Sequence, residues 1–134
     1  MAKTWKQKLQ TGEPKVEVTD RAFAGIAAGA RMLISTPKEV DSFIRVLPAG
    51  ASLTLPELKS ALAQAHGAEA ICPLTTAIFL RIVAEAAWDE HIEGKSLDQI
   101  TPFWRVIAPG DKVSGKLRCG AEFIAKQRTA EGIA

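Results

Sequence analysis

Cysteine, histidine and long apolar runs are scarce in this chain. Two cysteines in 134 residues do not make a disulfide framework, which in a small domain takes several bridges. Cys72, Cys119 and the two histidines, His66 and His91, lack the paired spacing of a zinc site, so no metal or other cofactor is expected. No apolar run approaches the roughly 20 residues a membrane helix needs. The opening Met1-Ala2-Lys3-Thr4-Trp5-Lys6 has no apolar core of a secretory signal. These absences lead to an expectation of a cytoplasmic protein with reduced thiols and no membrane partner. Net charge is only +2, too small to argue for nucleic acid by itself. No internal repeat or low-complexity segment is present.

What is there fits a soluble domain with one core: 47% hydrophobic and 24% charged residues in a chain long enough to bury a sizeable interior. Residues 1–35 read as an N-terminal arm and a short strand packing on a body formed by 36–134. In the arm, Lys3, Lys6, Lys8 and Lys15 outnumber Glu13. Trp5 and Leu9, four apart, can dock one helical turn. Residues 22–30 are small and Gly-interrupted, a loop or weak helix, and 31–35 read as a short strand.

Helix signals then become clear. Thr36-Pro37-Lys38-Glu39 predicts a capped start with a capping box. Val40, Phe43, Ile44 and Leu47 follow as one apolar stripe. Thr54-Leu55-Pro56-Glu57 repeats the signal, with Leu58, Ala61, Leu62 and Ala65 on one face and Gly67 as a left-handed stop. A third helix is expected within 73–90, burying Ile78, Phe79, Ile82, Val83 and Ala86, with Arg81 and Glu85 on the other side. A last helix over 121–130 buries Phe123 and Ile124.

Between those last two helices lies Ile100-Thr101-Pro102-Phe103-Trp104-Arg105-Val106-Ile107. Aromatic and β-branched residues bounded by turn signals predict a strand. Its arginine requires a carboxylate, carbonyls or a phosphate, because an unpaired buried guanidinium is too costly to keep.

Pro102-x-x-Arg105-Val106-Ile107 resembles the frame around the reactive cysteine of the O6-alkylguanine-DNA alkyltransferases, Pro-Cys-His-Arg-Val-Ile. Phe103 stands at the nucleophile position and Trp104 at the histidine position. Alkyltransferase-like proteins also lack the cysteine but keep the histidine. The likeness extends over roughly 36–133. Leu47-Pro48-Ala49-Gly50 is similar to the family's Ile-Pro-x-Gly, and Leu53-Thr54-Leu55-Pro56-Glu57-Leu58 to its Thr-Ser-Tyr-Gly-Glu-Leu. A recognition helix, a Gly-rich loop and a final helix near Glu131-Gly132 follow in the same order. The resemblance implies a mainly α fold with short strands, a winged helix-turn-helix over 36–134. It also implies a base pocket near Phe103, Trp104, Ser114 and Cys119. The family's Arg-Ala-Val-Gly and the Asn-Pro after the recognition helix have no counterparts here. Arg81 is displaced by a turn or so.

Alkyl transfer needs an activated thiolate, which Phe103 and Trp104 do not supply. Both are larger than the residues they replace, so a filled, degenerate pocket is expected. The leading expectation is therefore a non-enzymatic alkyltransferase-like protein. It would bind double-stranded DNA, extending to alkylated bases, through helix 73–90 and the basic loop 109–120. The residues for this are Thr75, Thr76, Arg81, Arg105, Lys112, Ser114, Lys116 and Arg118. From Arg105 to Arg128 six basic residues face two acidic ones, a local +4 suited to phosphate. Residues 81–98 carry a local −3, which would repel DNA. Two rivals stand beside this: an interaction module that kept the fold without DNA binding, and a thiol enzyme using Cys72, near a helix start, or Cys119, among Lys116 and Arg118. No residue pattern specifies an oligomeric state.

Overall fold

Two threonines start two helices as their spacing requires. Thr36 accepts a hydrogen bond from the Glu39 amide at 3.1 Å and opens α2 (Pro37–Arg45). The box expected there stays open, because the Glu39 carboxylate turns instead to Ser35 and His66. Thr54 closes a complete box: its hydroxyl accepts from the Glu57 amide, and Glu57 accepts from the Thr54 amide. It opens α3 (Leu55–Ala65), which buries Leu58, Leu62 and Ala63 rather than Ala65. Gly67, at φ +63°, ends that helix in the left-handed conformation.

The structure, a computed structural model, describes residues 3–22, 24–73 and 75–133. Phe23 in the stretch 22–30, Leu74 in the span 73–90, and Met1, Ala2 and Ala134 lie outside the described residues. The rest is a mixed α/β, helix-rich architecture. A single helical turn, α1 (Trp5–Leu9), is closed by a capping box between Thr4 and Gln7. Three short strands form one sheet in the order β1 (Lys15–Val18), β2 (Arg31–Ile34), β3 (Ala70–Ile71). β1 runs antiparallel to β2 with Val16 opposite Leu33, and β3 runs parallel to it with Ile71 opposite Leu33. β2 was legible from its apolar run. β1, exposed along its whole length, gave no burial alternation to read.

α4 (Thr76–Ile92) is the longest element and crosses the molecule against α1 and α2. Its inward residues are Leu80, Val83, Ala84, Ala86 and Ala87. The expected face was rotated. Val83 and Ala86 are buried, Phe79 and Ile82 half-buried, and Ile78 is 57% exposed. The first half of the helix is apolar nearly all round, so periodicity alone does not single out its inward side. Glu85, expected outside, is 1% exposed.

The strand expected over 100–107 is also corrected. Phe103–Arg105 form a 3-10 turn, with the Ile107 amide donating to Phe103 O at 3.0 Å. None of the three strands pairs with this segment, and without a ladder the buried amides close locally instead. A second 3-10 turn, Lys112–Lys116, occupies the loop 109–120. α5 (Gly120–Ala130) follows. Leu9 and Leu33, from the segment set apart as an arm, join Ile44, Leu62, Leu80, Phe103 and Ile124 in one hydrophobic core. Among the described residues no helix is long and apolar enough to cross a membrane.

Candidate nucleic-acid interface

The turn at Phe103–Arg105 fixes what surrounds it. Phe103 is fully buried and Trp104 is 3% exposed. Their rings meet edge-on at 5.4 Å, and both reach Phe123 of α5, at 6.1 and 6.2 Å. The seat is filled with aromatic bulk, and neither residue lines any of the molecule's described clefts.

Arg105 has the internal partner its burial demanded. Its Nε donates to Glu131 Oε1 at 2.8 Å, Nη2 to Glu131 Oε2 at 3.0 Å and Nη1 to Leu47 O at 2.7 Å. Trp104 Nε1 donates to the same carboxylate at 2.7 Å, and so does the Gly50 amide at 3.0 Å. Burial pushes the Glu131 carboxyl up. The Arg105 bonds, the Gly50 amide and the Trp104 indole outweigh it and bring the pKa down to about 2. This latch ties the end of α5 to the turn and to the loop after α2, and it removes Arg105 from any phosphate role.

Three more of the expected DNA contacts are spent internally. Arg118 Nε donates to Glu85 Oε1 at 3.0 Å and its Nη2 to Asp89 Oδ1 at 2.7 Å. Ser114 is buried and donates to the carbonyls of Pro109 and Asp111. Thr76 is buried at the start of α4, its hydroxyl 3.5 Å from Cys72 O. Thr75 is half-buried, and among the described residues its hydroxyl oxygen has no hydrogen-bond partner.

The thiol of Cys119 is not poised for attack. Burial, with the Glu85 carboxylate adding to it, pushes Cys119 up to about 11, leaving it protonated at neutral pH. Cys72 is buried beside β3. His66 pairs with Glu39, and His91 Nδ1 lies 2.9 Å from Lys95 O. Among the described residues no three His, Cys, Asp or Glu side chains converge as metal ligands.

The remaining cations do converge. Arg81 from α4 and Lys112 and Lys116 from the second 3-10 turn line one groove of about 380 Å³. α1 supplies its other wall through Trp5 and Lys8, and Ile78, Ile82 and Val113 form its apolar floor. Lys8 Nζ lies 4.5 Å and Arg81 Cζ 5.3 Å from the centre of the Trp5 ring, within cation–π range. Among the described residues no carboxylate lines the groove. Among the described residues, neither Lys8 nor Lys112 nor Lys116 pairs with an acidic side chain. Arg81 keeps only a loose ion pair, its Nε 3.9 Å from Glu85 Oε2.

Carboxylates of α4 and its C-terminal cap are held in ion pairs. Glu85 and Asp89 hold Arg118, Glu90 holds Lys95 and Glu93 holds Lys6. Trp5 and Lys8 were absent from the residues expected to meet a ligand. The only signal for them was the Trp5–Leu9 spacing, which docks α1 by burying Leu9. No protein-family model, curated protein or solved structure matches this chain.

Proposed function

We propose that this chain is a non-enzymatic, alkyltransferase-like protein that binds DNA through the cationic groove between α1, α4 and the Lys112–Lys116 turn. In this reading the groove makes the contact in place of a helix-turn-helix and wing, since β3 lies between α3 and α4 and a 3-10 turn fills the loop 109–120, on a cytoplasmic protein whose free thiols stay reduced. The observation that carries it is the gathering of Lys8, Arg81, Lys112 and Lys116 around one groove without a carboxylate, in a chain whose net charge is only +2. Lysine and arginine contacts to phosphate supply most sequence-independent affinity for DNA. The non-enzymatic half rests on Phe103 and Trp104, packed solid where the resemblance puts nucleophile and base, and on the protonated Cys119.

Two measurements test it. In a fluorescence titration, DNA binds at low salt and weakens steeply as salt rises, and Lys112→Glu with Lys116→Glu abolishes most of the affinity. Absence of binding at low salt removes DNA and leaves the interaction module. Intact mass after incubation with O6-benzylguanine stays unchanged. A single benzyl adduct overturns the non-enzymatic half. Comparing duplexes with and without O6-methylguanine decides whether alkylated bases are read.

A further inference from the structure

We infer that the groove is built for a single-stranded polynucleotide rather than an intact duplex. This rests on the proposal that the groove binds nucleic acid and deepens it. A duplex is read by hydrogen-bonding side chains that a helix carries into the major groove. α4 has little to offer there. Its first two turns present Ala77 and Ile78 as their exposed residues, and neither has a side-chain donor or acceptor. Thr76 is buried and Arg81 is drawn towards Trp5 and Glu85. α1 also packs against α4, so the helix is not free to lie along a duplex.

A single strand asks for the opposite. Its bases are unstacked and seek apolar or aromatic faces, while its phosphates seek cations alongside. The groove provides both at once. Ile78, Ile82 and Val113 supply an apolar surface for an unpaired base, and Trp5 lines the same groove. Lys8 and Arg81 are held at the indole ring itself, so charge neutralisation and base contact fall in the same place. The volume of about 380 Å³ lies in the range of pockets that take a small-molecule-sized group, which here is one or two nucleotides rather than a double helix. The polar side chains of the lining are donors, which serve phosphate and a ribose 2′-hydroxyl alike, so a DNA and an RNA strand are both tested.

The test is fluorescence anisotropy with labelled oligo-dT and oligo-U of about 15 nucleotides and a mixed-sequence duplex of the same length, all at one low salt concentration. The expected result is both single strands bound about tenfold or more tighter than the duplex, consistent with stacking contributions per base. Ile78→Glu places a carboxylate on the exposed floor without disturbing the core and is expected to lower single-strand affinity about tenfold or more. Trp5→Leu, checked for folding by circular dichroism, is expected to weaken it as well. Duplex binding as tight as the single strands overturns the inference while leaving nucleic-acid binding intact. So does an Ile78→Glu variant that binds single strands like the parent. Failure of all three ligands to bind overturns both.

Discussion

The Glu131 latch and the Trp5 groove use the same kind of residue in opposite ways. In the latch, Arg105 is mostly buried and held by two carboxylate oxygens and a carbonyl. In the groove, Lys112 and Lys116 line open space with no acidic partner among the described residues. Arg105 and the Lys112–Lys116 turn follow each other closely in the chain, and their side chains carry the same sign of charge. What separates them is whether a carboxylate from elsewhere in the fold arrives. Glu131 reaches Arg105 and Glu85 reaches Arg118, but among the described residues no carboxylate pairs with Lys112 or Lys116. A basic run in sequence is thus sorted by tertiary pairing into cations that hold the protein together and cations left to meet a partner.

The contrast can be broken most forcefully at Glu131. Glu131→Ala strands Arg105, Trp104 Nε1 and the Gly50 amide together, and breaking a buried pair costs roughly 3–5 kcal/mol. Urea denaturation measures this, and a loss under about 1 kcal/mol, the size of an exposed pair, would show that the latch behaves like a surface contact. Acid is the next lever. Glu131 titrates near 2 when folded and near 4.5 when unfolded. Its contribution is therefore complete above about pH 4.5 and falls away as the pH drops towards 2, by on the order of 3 kcal/mol. Glu131→Gln should flatten that part of the stability–pH curve. A smaller loss of about 1–3 kcal/mol is expected for Arg118→Ala, which leaves the buried Glu85 with only the distant Arg81. Smallest in stability are Lys112→Gln and Lys116→Gln, together within about 0.5 kcal/mol of the parent. Polynucleotide binding by that double variant should nonetheless lose about one to two units of salt slope. A double variant that unfolds the protein would place these lysines with Arg105 instead.

Helix starts were the most legible part of the fold, because Thr36 and Thr54 act on amides within one turn and need no distant partner. Phe103–Arg105 misled for the opposite reason. Its residues have the composition of a strand, but strand formation needs a neighbour, and no strand pairs with the segment. The burial of Arg105 and its need for a partner were readable, whereas Glu131 could not be named, since only packing of α5 brings it there. The buried face of α4 was turned because apolar residues surround its first half, and the same ambiguity concealed the groove floor at Ile78. β1 escaped notice because Val16 and Val18 are exposed beside Lys15 and Glu17, and a strand with no buried face shows no alternation. Of the eight residues expected to meet DNA, Arg81, Lys112 and Lys116 come together at the groove. The half of the site supplied by α1 depended on a tertiary contact with α4.

That dependence gives the groove a thermodynamic character of its own. α1 is a helix of five residues, far below the length at which a helix persists in water unaided. It stays in place through the burial of Leu9, the Thr4 cap and the ion pair from Lys6 to Glu93. One wall of the groove therefore has its own local opening equilibrium, separate from unfolding of the core. Any ligand touching Trp5 draws only on the fraction of molecules in which that turn is seated, and its apparent affinity falls in proportion to that fraction. Binding and the slowing of amide exchange in residues 5–9 are then two readings of one equilibrium.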